Sequence, residues 1–150
     1  MKKEALIISL ALIFMVGLLR AAPEKTTFQA AKTQAIELHR SLIGFAAPTV
    51  KARITASAKA ARSYLAKCGA SCDLEAFLSK DLKKRFFRVS AEELHLLEAL
   101  AFGETFKDMS QMDQLNLEEA MQKQAQIMQL MSNISKTTHD TAKGIIQNMR

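Results

Sequence analysis

The sequence predicts an all-α protein: a small helical bundle of four to five helices with a long C-terminal helix, preceded by an N-terminal signal or anchor segment. Three observations predict it. After residue 22 the chain is dominated by Ala, Leu, Met, Gln, Lys and Glu, all strong helix formers, with no Trp, a single Tyr and few runs that favour strands. Apolar residues recur at steps of three and four. The two prolines, Pro23 and Pro48, fall at the leader boundary and in one loop, so neither interrupts a long segment.

The leader comes first. Lys2 and Lys3 precede a run from Ala5 to Leu19 that is apolar apart from Ser9 and Gly17, and small residues follow at Ala21 and Ala22. This is the three-part layout of a secretory signal. About fifteen residues give only ~22 Å of helix, short of the ~30 Å hydrocarbon core of a bilayer. Residues 1–21 are therefore expected to be a signal peptide. Pro23 obstructs cutting after Ala22, and cutting after Ala21 leaves the bulky Leu19 three positions back, so an uncleaved anchor is the second reading. Either reading puts residues 22–150, expected to form a single helical domain, outside the cytosol: in the bacterial periplasm, secreted, or anchored at the inner membrane. The first cysteine is Cys68, so no lipidation cysteine follows the apolar run.

Thr26 and Thr27 can cap a first helix running to about Phe45, with Phe28, Ala31, Ala35, Leu38, Leu42 and Phe45 along one face. A second helix is expected from Thr49, beside Pro48, with Val50, Ile54, Ala58, Ala61 and Leu65 inward and a stop at Gly69. Ser71 or Asp73 can start a third helix that carries Leu74, Phe77, Leu78 and Leu82 and fades near Arg88. Ser90 with Glu93 is a capping box ahead of Leu94, Leu97, Leu100 and Ala101, and Gly103 is expected to end or loosen that fourth helix. A long last helix then starts at Glu104 or at a second capping box, Asn116 with Glu119. Its inward stripe is Leu117, Met121, Met128, Met131, Ala142, Ile145 and Met149, with Gln124, Ser135 and Thr138 as polar members. Such a seam serves as a flexible core and also suits pairing with another chain.

Charge divides the chain. Residues 22–88 hold thirteen Lys or Arg against five Asp or Glu, and residues 89–150 hold five against nine, making a basic half of +8 and an acidic half of −4. The sharpest local feature is residues 80–88, where Lys80, Lys83, Lys84, Arg85 and Arg88 surround Phe86 and Phe87. It reads in two ways. The segment can lie on an anionic membrane surface, or it is a helix end with one Phe buried and its cations near the negative end of the dipole. Export argues against nucleic acid as a partner.

Cys68 and Cys72 are the only cysteines, four apart around Gly69, and an oxidising compartment would join them in a local disulfide at the turn between the second and third helices. A redox motif would need a two-residue spacing, and a metal site would need more than two thiols with dispersed histidines. His39, His95 and His139 each read as surface or boundary residues. The sequence contains no nucleophile elbow, glycine-rich phosphate loop or zinc-helix motif. No catalytic residue, cofactor, metal or small-molecule substrate is implied.

The last residues, Ile145-Ile146-Gln147-Asn148-Met149-Arg150, resemble the end of type III secretion needle subunits, several of which finish Ile-Ile-Gln-Asn-Phe-Arg. Reading backward without gaps, Ser132-Asn133, Lys136 and Asp140 also fall where those subunits carry Ser-Asn, Lys and Asp. The likeness covers about the last twenty-five residues, on one amphipathic helix. It implies a channel-lining or filament-packing role for residues 132–150. In general character, though in no motif, the chain is also similar to the exported helical minor-pilin subunits of type IV secretion systems.

The combined expectation is an exported, non-catalytic structural or interaction protein of the bacterial cell envelope, part of a secretion or appendage apparatus. It would bind a protein partner or further copies of itself through Met128, Met131, Ile145, Ile146 and Met149. The alternative is a peripheral membrane protein that uses residues 80–88.

Overall fold

The computed structural model describes residues 28–68, 71–114 and 139–150, with side chains from residue 30 onward. Helix α1, Phe28–Leu42, tightens into a 3-10 turn at Ile43–Phe45. Ala31, Ala35 and Leu42 keep the expected inward stripe, whereas Phe45 is largely outside it. Helix α2, Pro48–Cys68, opens with proline at its first position, where the missing N–H costs nothing and the fixed φ already suits a helix. Val50, Ile54, Ala58, Ala61 and Leu65 are buried as the periodicity predicts, and Ser57 is buried among them.

Helix α3, Leu74–Arg85, is capped by Asp73, whose carboxylate accepts from the Ala76 N–H at 3.0 Å. Ser71, the other candidate cap, instead donates its hydroxyl to the Cys68 carbonyl at 2.8 Å. Helix α4, Ala91–Lys107, begins with the expected capping box: Ser90 Oγ accepts from the Glu93 N–H at 3.1 Å, and the Glu93 carboxylate accepts from the Ser90 N–H at 2.9 Å. Helix α5, His139–Asn148, completes the described elements.

The expectation that Gly103 ends the fourth helix is overturned. α4 runs through Gly103 to Lys107, and every residue from Leu96 to Phe106 is buried. Glycine is needed there for a close crossing with α1: a Cβ at position 103 would lie 2.3 Å from the Ala35 carbonyl oxygen and 2.8 Å from its carbon. A start of the long helix at Glu104 falls with it, because Glu104 is interior to α4. The chain breaks instead at Asp108, and Ser110 opens a helical turn over residues 111–114 by accepting from the Asp113 N–H at 3.2 Å. The second candidate start, Asn116 with Glu119, and the seam residues Leu117, Met121, Met128 and Met131 lie outside the described residues.

Side-chain pairs set the topology. Lys32 reaches Gln114 at 3.0 Å while Ala35 and His39 meet Gly103, so α1 and α4 run antiparallel. Tyr64 stacks on Phe77, centroids 4.4 Å apart, and the Arg53 guanidinium lies over Phe86, so α2 and α3 also run antiparallel. The Cys68–Cys72 disulfide closes their connecting corner, where the Asp73 N–H donates to Tyr64 Oη at 3.2 Å. Three helices thus surround α4. The last one, α5, rests on α1, α4 and the 3-10 turn through Ala142, Ile146 and Met149, with the Lys143 ammonium 4.3 Å from the Phe45 ring centroid. Among the described residues no helix is long and apolar enough to cross a membrane.

Gly103→Ala should destabilise the fold by about 1–3 kcal/mol, since backbone rather than a yielding side chain stands in the way. Gly144→Ala has open space and sits within α5, so it should stabilise by up to about 1 kcal/mol through helix propensity. Thermal melts of the two variants check this, and shifts of the same sign would contradict the crossing.

Candidate functional site

The antiparallel pairing of α2 and α3 brings the first turns of one beside the last turn of the other, and basic residues from both collect at that end. Lys80, Lys83 and Lys84 are exposed, and Arg85 holds Asp81 through Nε at 2.7 Å. Phe86 follows in extended backbone and is buried under Arg53, 5.3 Å from its ring centroid. Successive side chains on extended backbone point to opposite sides. Phe87 accordingly faces outward and is 87% exposed, its ring met by the Arg88 guanidinium 5.1 Å from the centroid. Arg88 has φ 58°, the left-handed region, which turns the chain toward the Ser90 cap. The two phenylalanines that look alike in sequence thus have opposite uses.

A second cluster lies between α3 and α4, in a groove of about 490 Å³ lined by residues that include Glu75, Ser79, Lys83, His95 and Glu98. Glu98 is 3% exposed, and its Oε2 stands 3.4 Å from His95 Nδ1. Burial above all pushes the Glu98 carboxyl over its ordinary range, opposed by hydrogen bonding from Ser79 and by the nearby His95 and Lys83. Glu75 is raised as well, first by burial and then by the carboxylates of Glu98 and Asp73. Among the described residues no group of three or more His, Cys, Asp or Glu is placed to hold a metal ion.

His39 corrects the expectation that each histidine is a surface or boundary residue. It is 3% exposed, on the stripe of Ala35 and Leu42, and its Nε2 is in direct contact with Glu104 Oε2 across the α1–α4 crossing. Lys107 Nζ approaches the same oxygen at 3.3 Å, and Arg62 Nη1 donates to the carbonyls of Glu104 and Thr105 at 3.1 and 3.4 Å. Burial lowers the His39 pKa, and the Glu104 charge only partly offsets it. His95 and His139 are both exposed, as expected.

Of the residues expected to bind a partner, Ile146 and Met149 are buried in the chain's own core and Ile145 is half-buried beside it. Met128 and Met131 lie outside the described residues. The disulfide corner and the basic corner stand at opposite ends of the α2–α3 hairpin, one at its turn and one at its open end.

Because the folded chain holds a proton on Glu98 more tightly than the unfolded chain, the stability this group supplies is present below about pH 4.5 and is lost as pH rises through its raised folded value. Glu98→Gln removes that loss. The variant should melt above the parent at pH 7, with the difference closing below about pH 4. A lower melting temperature at pH 7 would mean that the charged carboxylate is net stabilising.

No family model matches the chain, and neither does any curated protein or solved structure.

Proposed function

We propose that this chain is an exported, non-catalytic interaction protein of the bacterial cell envelope, working as a component of a secretion or appendage apparatus. The observation that carries the proposal is the Cys68–Cys72 disulfide, which suits an oxidising compartment, together with the signal-like layout of residues 1–21 that would deliver the chain there. The polar pairs of α4, His39 with Glu104 inside the bundle and His95 with Glu98 at its groove, are built into α4 and its neighbours, which gives them a use in packing.

Assembly is assigned to the C-terminal helix. Among the described residues α5 seats Ala142 and Ile146 in the core, with Ile145 partly buried beside them and Met149 just past its end, an apolar edge small enough to be supplemented or replaced by a partner's surface. The resemblance of its last residues to needle subunits favours packing against like helices. Ile145 is the residue at the boundary between the two roles, half-buried in the monomer and adjacent to the buried Ile146.

Two experiments test the parts separately. Expressed with its own leader in a Gram-negative host, the chain should fractionate with the envelope and resist thiol alkylation at Cys68 and Cys72 until reduced. A cytosolic chain with two free thiols would overturn export. For assembly, Ile146→Asp should destabilise the monomer by several kcal/mol, as an unpaired buried carboxylate does. Ile145→Asp should leave the melting temperature close to the parent's and abolish oligomers or partner binding in sedimentation. If Ile145→Asp sediments as the parent does, α5 serves packing alone.

A further inference from the structure

The open end of the α2–α3 hairpin has an arrangement that neither packing nor envelope assembly explains. Lys83, Lys84 and Arg88 are exposed on the segment that carries Phe87, Lys83 also lining the Glu98 groove, and Arg53 arrives from α2 over Phe86. The nearest acid on the segment, Asp81, is already held by Arg85. Phe87 is the most exposed of the large apolar side chains among the described residues. It stands on a turn, with the Arg88 guanidinium 5.1 Å from its ring centroid. Arg88 is also the one described non-glycine residue with positive φ, so the turn carries a long cation where glycine would sit without strain.

We propose that this corner, Phe87 with Lys83, Lys84, Arg88 and Arg53, docks on an anionic phospholipid membrane. A ring on a protruding turn has no groove of its own to fill and is buried by a deformable phase. The headgroup boundary accepts an aromatic body while leaving the surrounding ammonium and guanidinium groups among phosphates. The cations supply attraction that is additive and short-ranged, and salt screens it. Buried Phe86 anchors the turn from below, so insertion of Phe87 costs the bundle no core residue. A nucleic-acid strand would be tracked by a row of cations with several stacking rings, and here a single ring is presented. The surface rests on this geometry and holds whether or not the export reading does.

The chain has no Trp, so Phe87→Trp places a single Trp at the tip, and Met112→Trp, at a position 69% exposed beyond the far end of α4, reports from the other end of the bundle. Each full-length variant is titrated with vesicles of phosphatidylcholine alone and with added phosphatidylglycerol, in parallel with brominated acyl chains. With phosphatidylglycerol the Phe87 probe should shift to the blue and be quenched by bromine, and high salt should reverse both. In that background Lys83→Gln, Lys84→Gln and Arg88→Gln together should weaken binding about a hundredfold, the effect of three cations at an anionic surface. Tethering by the apolar N-terminal segment would act on both vesicle types and would not select the Phe87 probe. The proposal is overturned by an equal shift on phosphatidylcholine alone, by an equal shift of the Met112 probe, by no shift with phosphatidylglycerol, or by a shift with an oligonucleotide that vesicles do not produce.

Discussion

A helix enclosed on every side must have each polar group it carries satisfied by its neighbours, and from Leu96 to Phe106 α4 is such a helix. Its apolar members, Leu97, Leu100, Phe102 and Phe106, are each fully buried, worth roughly 1.5–3 kcal/mol apiece by removal from water. Its two glutamates are buried with them. Each is met by a histidine: Glu104 by His39 of α1, and Glu98 by His95 one turn earlier on α4 itself. The pairs are not equivalent. His39 and Glu104 join two elements at their closest approach, whereas His95 and Glu98 share one helix beside an open groove, where His95 remains half exposed.

The remaining elements take their places from that trunk. Gly103 lets α1 approach until the Ala35 carbonyl lies where a side chain would begin, which aligns His39 with Glu104. The α2–α3 hairpin packs on α4 as a unit, held at its turn by the disulfide and by the Tyr64–Phe77 stack, and tied to α4 by Arg62 at the Glu104 and Thr105 carbonyls. Its open end is thereby fixed beside the Ser90 cap, and the short segment between Arg85 and Ser90 has room to bury one phenylalanine. Phe86 takes that place and Phe87 is left outside. The exposed basic corner is thus a consequence of the same packing that encloses α4.

Local chemistry was readable from sequence, and spatial coincidence was not. The capping box at Ser90 and Glu93 involves groups three residues apart, Asp73 caps within its own turn, and the four-residue spacing of Cys68 and Cys72 suits a bridge, so each could be seen without knowing the fold. Gly103 misled because the low helix propensity of glycine is a local rule, and a close helix crossing overrode it. The available signal was the run from Leu96 to Phe106, apolar on several faces and therefore unsuited to a surface helix. His39 sat on the inward stripe one turn after Ala35, but nothing in the sequence placed Glu104 across from it. Choosing between Phe86 and Phe87 required knowing that α3 stops at Arg85 and that the backbone then becomes extended.

Enclosure of α4 has a dynamic consequence that sets it apart from α5, which buries two side chains, Ala142 and Ile146. Native-state hydrogen exchange measures it most directly. The amides of Leu97 to Phe106 should exchange only through global unfolding, with an opening free energy equal to that from denaturant melts, while those of Ala142 to Asn148 should exchange through a smaller, separate opening. Amides of α4 that exchange below the global free energy, or as readily as those of α5, would contradict the view that this helix is the trunk on which the rest of the molecule is built.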